Sequence, residues 1–217
     1  MLIEAPVSGT RPLRHLTHDA DLAVIGGGLS GVCASIAAAR RGLRVTLVQD
    51  RPVLGGNGSS EIRLWSLGAT SHMGNNNRWA REGGLVDEIF VENLHRNREG
   101  NPHLFDTLLL EKVLAEPNIT LLLDTALHDC AKSAPDRIAS AEAFCPQTAT
   151  RHTLNAPLFL DATGDGTLAW LAGAAARSGE EARSEFDEPL APETPTRKTL
   201  GHSLFFYTTQ APPPGRY

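Results

Sequence analysis

The chain has few cysteines and no long apolar run, and each absence excludes a class of protein. Its 217 residues include three cysteines, Cys33, Cys130 and Cys145, which lie far apart with no C-x-x-C pair. This spacing predicts neither a disulfide scaffold nor a zinc or iron–sulfur site, and it favours a reducing compartment. No stretch has the roughly 18 uninterrupted apolar residues of a membrane span, and the first twenty residues lack a signal-peptide core. We therefore expect a cytoplasmic protein without a membrane partner.

Basic residues are also in the minority. The chain has 25 acidic and 20 basic residues, a formal net charge of -5 spread along its length. A nucleic-acid surface or a polybasic membrane anchor needs a basic cluster, so we expect neither kind of partner. A chain of this length can bury one main core, which predicts one principal domain.

Glycine, by contrast, is abundant, and the first cluster of glycines lies between a strand pattern and a helix pattern. The apolar run 21–25 predicts a buried strand, 30–41 predicts a helix rich in small residues, and 43–48 predicts a second strand. These three segments form a βαβ unit of about thirty residues. Its first turn carries the sequence GGGLSG at 26–31, which contains G-x-G-x-x-G.

Each glycine of this motif has a physical purpose. Gly26 permits the tight turn, Gly28 lets a pyrophosphate approach the backbone, and Gly31 lets the helix pack closely on the strand. The phosphate groups would then face the positive end of the helix. The strand–turn–helix context makes the motif specific, and it predicts a dinucleotide site rather than a simple turn.

The end of the second strand is where an acidic residue usually binds the adenosine ribose. Here Gln49 ends the apolar run and Asp50 follows it. A carboxylate or an amide can hydrogen-bond a ribose, so both residues stay candidates. Arg51 could face a phosphate, although an exposed loop arginine is more often only solvated.

Two further glycine clusters follow predicted strands. LGGNGSS at 54–60 comes after the second strand, and ATGDG at 162–166 comes after an apolar run at 157–161. In a doubly wound sheet the carboxyl ends of the strands form one ligand-binding edge. We therefore expect the three loops to converge on one dinucleotide.

The remaining patterns predict an α/β, Rossmann-like fold, with a central parallel sheet, helices and a three-stranded antiparallel meander. The predicted elements are two amphipathic helices at 85–98 and 103–115, a strand at 119–123, meander strands at 126–131, 137–144 and 150–154, and a helix at 168–176.

Together these motifs resemble the FAD-dependent oxidoreductases of the glutathione-reductase-like flavoprotein class. The blocks LVQDRPVLGGNGSSEIRLW, REGGLVDEIFVENLHRN, EPNITLLLDT and TLGHSLFF resemble more narrowly a bacterial group of FAD-dependent oxidoreductases, distantly similar to the heterodisulfide reductase flavin subunit and to fumarate reductase flavoproteins. The resemblance covers nearly the whole chain after Asp21. It implies FAD as the cofactor, a small-molecule substrate and an electron acceptor that is not identified.

The resemblance also implies cofactor roles for individual residues. The pyrophosphate would lie at the first loop, the ribose at Gln49 or Asp50 near Arg51, the flavin side at the second loop, the adenine at the first meander strand and the middle of the cofactor at the third loop. The residues implied are Gly26, Gly28, Leu29, Ser30, Gly31, Gln49, Asp50, Arg51, Gly55, Gly56, Asn57, Ser59, Leu127, Thr163, Gly164, Asp165 and Gly166.

The resembling proteins are longer, so we expect this chain to be the amino-terminal part of a larger flavoprotein, with a natural short protein as the alternative. The expected organisation is a polar lead-in at 1–20, an FAD-binding domain at 21–176 with an insertion at 59–115 toward the substrate, and the start of a substrate or cap region at 177–217.

Catalytic candidates come from the segment 61–84, which is dense in Arg, His and Asn. His72 could transfer a proton, and Arg63, Arg78 or Arg81 could bind an anionic or hydroxylated substrate. A polar surface excursion is the simpler interpretation of the same segment.

Two other functions stay open at this stage. A non-catalytic FAD or nucleotide-binding module, or a half-site that lacks its substrate domain, would show the same glycine loops. An NAD-dependent Rossmann enzyme would explain the first loop but leaves GGNGSS and ATGDG without a role.

Overall fold

The computed structural model describes residues 12–64, 83–201, 206 and 208, which belong to two units divided after Ala174. Among these residues, the first unit contains two four-stranded sheets and four helices. Its elements in chain order are β1 Arg14–Asp19, β2 Leu22–Ile25, α1 Leu29–Ala39, β3 Val45–Val48, α2 Gly84–Arg96, α3 Pro102–Leu114, β4 Ile119–Leu122, β5 Ala126–Ala134, β6 Arg137–Cys145, β7 Thr150–Asn155, β8 Leu158–Asp161 and α4 Thr167–Leu171.

The central sheet is parallel, with the strand order β4-β3-β2-β8. β2 and β3 are short and almost entirely apolar, as expected for strands that are covered on both faces. α1 and α3 pack on one face around Val24, Val32 and Leu109. The second sheet covers the other face, where Ile25 and Val48 contact its buried residues. The predicted α/β fold with a central parallel sheet is confirmed.

The second sheet contains the predicted meander and one additional strand. β5, β6 and β7 pair antiparallel in sequence. β1 adds to the free edge of β7 in parallel, from Arg14 opposite Thr150 to Asp19 opposite Asn155. The sequence analysis placed no strand before Asp21, because β1 is polar and largely exposed and shows no apolar alternation.

The helix after β8 is shorter than predicted. It ends at Leu171 rather than near 176, because Gly173 takes a left-handed conformation with φ 76°. The Gly173 N–H donates to the Trp170 carbonyl at 3.0 Å, and the Ala174 N–H donates to the Ala169 carbonyl at 2.9 Å. This is the Schellman pattern that ends helices at glycine. The other predicted elements are present, with ends shifted by at most three residues.

Ion pairs join the outer surfaces of α1, α2 and α3. Arg40, the C-cap of α1, binds Glu88 of α2 at 2.8 Å and Glu116, just beyond α3, at 2.7 Å. Lys112 of α3 binds Glu88 and Glu92 and is largely buried. Arg40, and then Lys112, hold the pKa of Glu88 at about 2. Exposed pairs contribute little individually, but this network links three helices and surrounds a shielded ammonium group.

The second unit is small. It contains the short helix α5, Arg183–Phe186, and an antiparallel bridge between Glu180 and Thr196. Across both units, no helix of the described residues is long and apolar enough to cross a membrane. Within the same residues, no group of three or more His, Cys, Asp or Glu side chains is placed to hold a metal ion.

A pair of histidines joins β1 to β7. His18 Nε2 lies 2.9 Å from His152 Nδ1, and the two rings stack with centroids 5.1 Å apart. One ring must donate and the other accept, so the bond requires at least one neutral imidazole. Burial lowers the pKa of His18 despite the opposing effect of Asp19. Burial, then His18 and Arg14, lower the pKa of His152.

This pair predicts that β1 is held less firmly in acid. Because both pKa values lie below the ordinary 6.5 in the folded chain, the unfolded chain takes up protons first as the pH falls. The free energy of unfolding should therefore decrease as the pH falls through 6.5 toward the lowered values. Urea unfolding across this range tests it, and His18→Gln should flatten the slope. An equal slope in the variant would contradict the prediction.

Candidate cofactor site

The carboxyl ends of the four parallel strands open onto one cavity of about 620 Å³. The loops that follow β2, β3, β4 and β8 all contribute to its wall. This volume lies within the usual range for cofactor and small-molecule sites. The three glycine loops of the sequence therefore meet at one place.

Fourteen of the seventeen residues that the sequence analysis linked to the cofactor line this cavity. Gly31, Ser59 and Gly166 do not. The fourteen are Gly26, Gly28, Leu29, Ser30, Gln49, Asp50, Arg51, Gly55, Gly56, Asn57, Leu127, Thr163, Gly164 and Asp165.

The first loop presents the amino end of α1 to the cavity. Gly28 is the N-cap, with φ -64° and ψ 175°, and the first turn of α1 contains no acidic side chain. The first N–H groups of a helix have no partner within it, and they carry partial positive charge. A Cβ on Gly28 would meet nothing nearer than the Gly56 Cα at 4.0 Å. The space above Gly28 therefore belongs to the cavity, where an anion can approach the backbone.

Gly31 has a different purpose, behind the cavity wall. A Cβ at Gly31 would lie 1.9 Å from the Gly26 carbonyl oxygen and 3.3 Å from the Ala162 Cβ. Gly26 itself has φ 104°, and a Cβ there would lie 2.3 Å from the Ala162 carbonyl oxygen. The first and third loops thus touch through backbone atoms, and only glycine allows that contact.

Gln49 and Asp50 are placed differently at the end of β3. Gln49 is buried; its Oε1 accepts from the Gly27 N–H at 2.7 Å, and its Nε2 donates to the Val53 carbonyl at 3.1 Å. Asp50 is exposed at the cavity wall. Within the described part of the chain, the Asp50 carboxylate makes no hydrogen bond or ion pair. Gln49 therefore braces the first loop, whereas Asp50 lines the cavity and is exposed to solvent.

The second loop lies directly against the first. The Gly55 N–H donates to the Gly27 carbonyl at 2.8 Å, and Gly28 and Gly55 form a parallel bridge. A short 3-10 turn, Gly56–Gly58, follows. Arg51 Nη1 forms an ion pair with Glu61 Oε2 at 3.1 Å. The guanidinium charge is therefore balanced by a carboxylate of the protein, although the side chain is exposed.

The third loop is held by Asp161, the last residue of β8. Asp161 Oδ1 accepts from the Thr163 N–H at 3.0 Å and from its hydroxyl at 2.7 Å, and Oδ2 accepts from the Ala169 N–H at 2.9 Å. Burial would raise the Asp161 pKa, but these donors together lower it. The carboxylate thus fixes the loop and the start of α4 at neutral pH.

Among the described residues, no catalytic candidate lines the cavity. His72, Arg78 and Arg81 lie outside the described part of the chain. Arg63 does not line the cavity; its Nε donates to the Ser60 carbonyl at 2.9 Å, and its backbone has φ 66°. Their catalytic roles stay predictions.

Several lining residues were missed by the sequence analysis. Thr125 and Ala126 follow β4, so the strand-edge rule that selected the glycine loops could have found them. Leu64 and Thr167 carry no such pattern, and only the folded chain shows their position.

A comparison with known families decides the class of protein. The sequence profile of the family described as FAD dependent oxidoreductase matches residues 21–211. The chain belongs to this family. FAD is therefore its cofactor, as the family resemblance implied. None of the curated proteins matches the chain significantly.

Several solved structures are similar to the chain at low sequence identity. The flavin-dependent brominase Bmp2 is similar with a TM-score of 0.52 and 15% identity, over 76% of this chain and 43% of that one. Mycobacterium smegmatis Sdh1 in complex with UQ1 has a TM-score of 0.47 and 19% identity, over 68% and 34%. E. coli quinol fumarate reductase has a TM-score of 0.45 and 16% identity, over 68% and 33%. This chain thus spans less than half the length of each.

The glycine contacts predict opposite effects for two alanine substitutions. Gly31→Ala should destabilise the chain by about 1–3 kcal/mol or more, because its Cβ would overlap the Gly26 carbonyl. Gly28→Ala should leave the fold intact, because its backbone suits any residue, yet weaken FAD binding about tenfold or more by filling the cavity. Thermal unfolding without FAD and an FAD titration measure the two effects. Wild-type affinity in Gly28→Ala would contradict the assignment.

Proposed function

We propose that the chain holds FAD in the cavity between the three glycine loops, with the pyrophosphate at the amino end of α1. The observation that carries the proposal is the convergence of the loops after β2, β3 and β8 on this helix end. A turn that served only the fold would not need a helix end open to a cavity of this size.

The residues present fit FAD. The wall near α1 offers backbone N–H groups and no acidic side chain in the first turn, which suits a pyrophosphate. The absence of a Cβ at Gly28 leaves room for close approach. When bound, FAD supplies hydride or electron transfer, and the protein supplies binding, orientation and electrostatics.

In this proposal Asp50, rather than Gln49, binds the adenosine ribose. Both polar ends of the Gln49 amide already have partners inside the protein, at 2.7 Å and 3.1 Å. Exchanging the bond to Gly27 for a ribose hydroxyl would leave a buried backbone N–H unpaired, which costs about 1–3 kcal/mol. The exposed Asp50 carboxylate can accept from hydroxyl groups without that loss.

We propose that the whole activity is flavin-mediated oxidation or reduction of a small organic substrate, with a separate electron acceptor. Residues 21–176 would form the FAD-binding domain, and the insertion at 59–115 would face the substrate. Family membership supports an oxidoreductase. The non-catalytic alternative predicts that no small organic substrate reduces the bound flavin, which anaerobic mixing with a substrate panel can test.

The first test is the absorbance spectrum of the 217-residue chain after incubation with FAD and desalting. Flavin bands that are retained by the wild type and lost in Gly28→Val would support the proposal. A folded wild-type chain without flavin bands would contradict it.

The ribose assignment predicts a selective effect of Asp50→Ala. Loss of charge-assisted hydrogen bonds, each worth about 1.5–3 kcal/mol, should weaken FAD binding roughly tenfold to a hundredfold. Asp136→Ala is the matched control, because it removes the same charge from the β5–β6 turn, outside the wall of this cavity. Fluorescence titration with FAD measures both. Equal affinities in the two variants would assign the ribose to another residue.

A further inference from the structure

Asp106 of α3 is a carboxylate on the buried side of an apolar helix. Its neighbours on that side, Phe105, Leu108, Leu109 and Val113, belong to the main core, and Asp106 itself is only 8% exposed. A carboxylate at such a position is costly unless hydrogen bonds compensate for its lost hydration. The sequence motifs gave no reason for it.

The partner of Asp106 lies in the second glycine loop. Asp106 Oδ1 accepts from the Ser60 N–H at 2.9 Å. Ser60 is 9% exposed and Ser59 is fully buried, so water has little access to this bond. Hydrogen bonds to a charged acceptor are about twice as strong as neutral ones.

After Ser60 the chain folds back and bonds to the second glycine loop. The Arg63 backbone N–H donates to the Ser59 carbonyl at 2.7 Å. The Arg63 Nε donates to the Ser60 carbonyl at 2.9 Å. The Leu64 N–H then donates to the Asn57 carbonyl at 2.8 Å. Asn57 and Leu64 both line the cavity. A shift at Ser60 would therefore move two residues of the wall.

α3 supports the same loop at a second point. Leu109, three residues after Asp106 and on the same face of the helix, would touch a Cβ at Gly55 at 2.9 Å. Gly55 in turn bonds to Gly27 of the first loop. The helix thus supports the second loop at both its beginning and its end.

We propose that Asp106 is a positioning residue of the FAD site, which sets the shape of the second glycine loop through the Ser60 N–H without lining the cavity itself. This inference depends on the proposed FAD site. In this proposal α3, a core helix outside the glycine motifs, contributes to FAD affinity by holding the second loop in place.

The test is FAD affinity of the full chain, measured by flavin fluorescence. Asp106→Leu removes the acceptor at similar size and should weaken FAD binding about tenfold. Asp106→Asn keeps an oxygen that can accept from Ser60, so it should stay within about threefold of the wild type. This rescue would not occur if only the negative charge of Asp106 mattered.

Val113→Ala is the matched control on the same helix. Val113 is buried two turns beyond Asp106, and its truncation should lower the melting temperature while FAD affinity stays within about twofold of the wild type. If Val113→Ala weakens FAD as much as Asp106→Leu at equal loss of stability, Asp106 has only a structural role and the proposal fails.

Ser60→Pro tests the same bond from the other side. Proline removes the N–H, and Ser59, with φ -70° and ψ 170°, already has the extended backbone that precedes proline. If the bond carries the effect, Ser60→Pro should also weaken FAD binding about tenfold, and the double variant with Asp106→Leu should lose no more than the weaker-binding single variant.

The outcomes separate this inference from the proposed function. Near wild-type FAD affinity in folded Asp106→Leu or Ser60→Pro, with binding lost in Gly28→Val, overturns the role of Asp106 alone. A wild type that binds no FAD overturns the site itself. If neither variant folds, amide exchange in the wild type decides: the Ser60 amide should exchange more slowly with FAD bound, and equal exchange with and without FAD overturns the proposal.

Discussion

The cavity depends on the position of β2 between β3 and β8. Parallel pairing on both sides of β2 brings the carboxyl ends of these strands to one edge of the sheet. Because every strand of this sheet runs in the same direction, the loop that follows each strand begins at that edge. An antiparallel neighbour would send one glycine loop to the opposite end of the sheet, and the convergence would be lost.

The loops at this edge form one connected backbone structure. Gly26 and Gly31 bring the first loop against Ala162 of the third loop, and the Gly55 N–H of the second loop donates to the Gly27 carbonyl of the first. Gln49 adds a side-chain bond to the Gly27 N–H from within the wall. The loops therefore position one another through backbone contacts as well as through side chains such as Gln49 and Asp161.

Most of the sheet, and where its loops meet, could be predicted from sequence, because apolar strands and glycine turns report directly on burial and backbone conformation. β1 was missed because its polar residues pair through backbone bonds that leave no apolar pattern. The choice between Gln49 and Asp50 required the folded structure, because sequence does not show that the Gln49 amide bonds to Gly27 and Val53. Asp106 escaped notice because an acidic residue in a helix is ordinarily a solvated one.

The pairing of β2 with β8 also determines when the site can form. Leu22 pairs with Leu158, and in the other sheet His18 pairs with Leu154. In both sheets the paired residues are therefore separated in sequence by more than half of the chain. Contacts between such distant residues form slowly, because a long loop must close first. During synthesis, β2, α1 and β3 leave the ribosome well before β8. A nascent chain that ends before β8 has the first glycine loop but lacks the third, so the cavity between the three loops can form only after β8 has been synthesised.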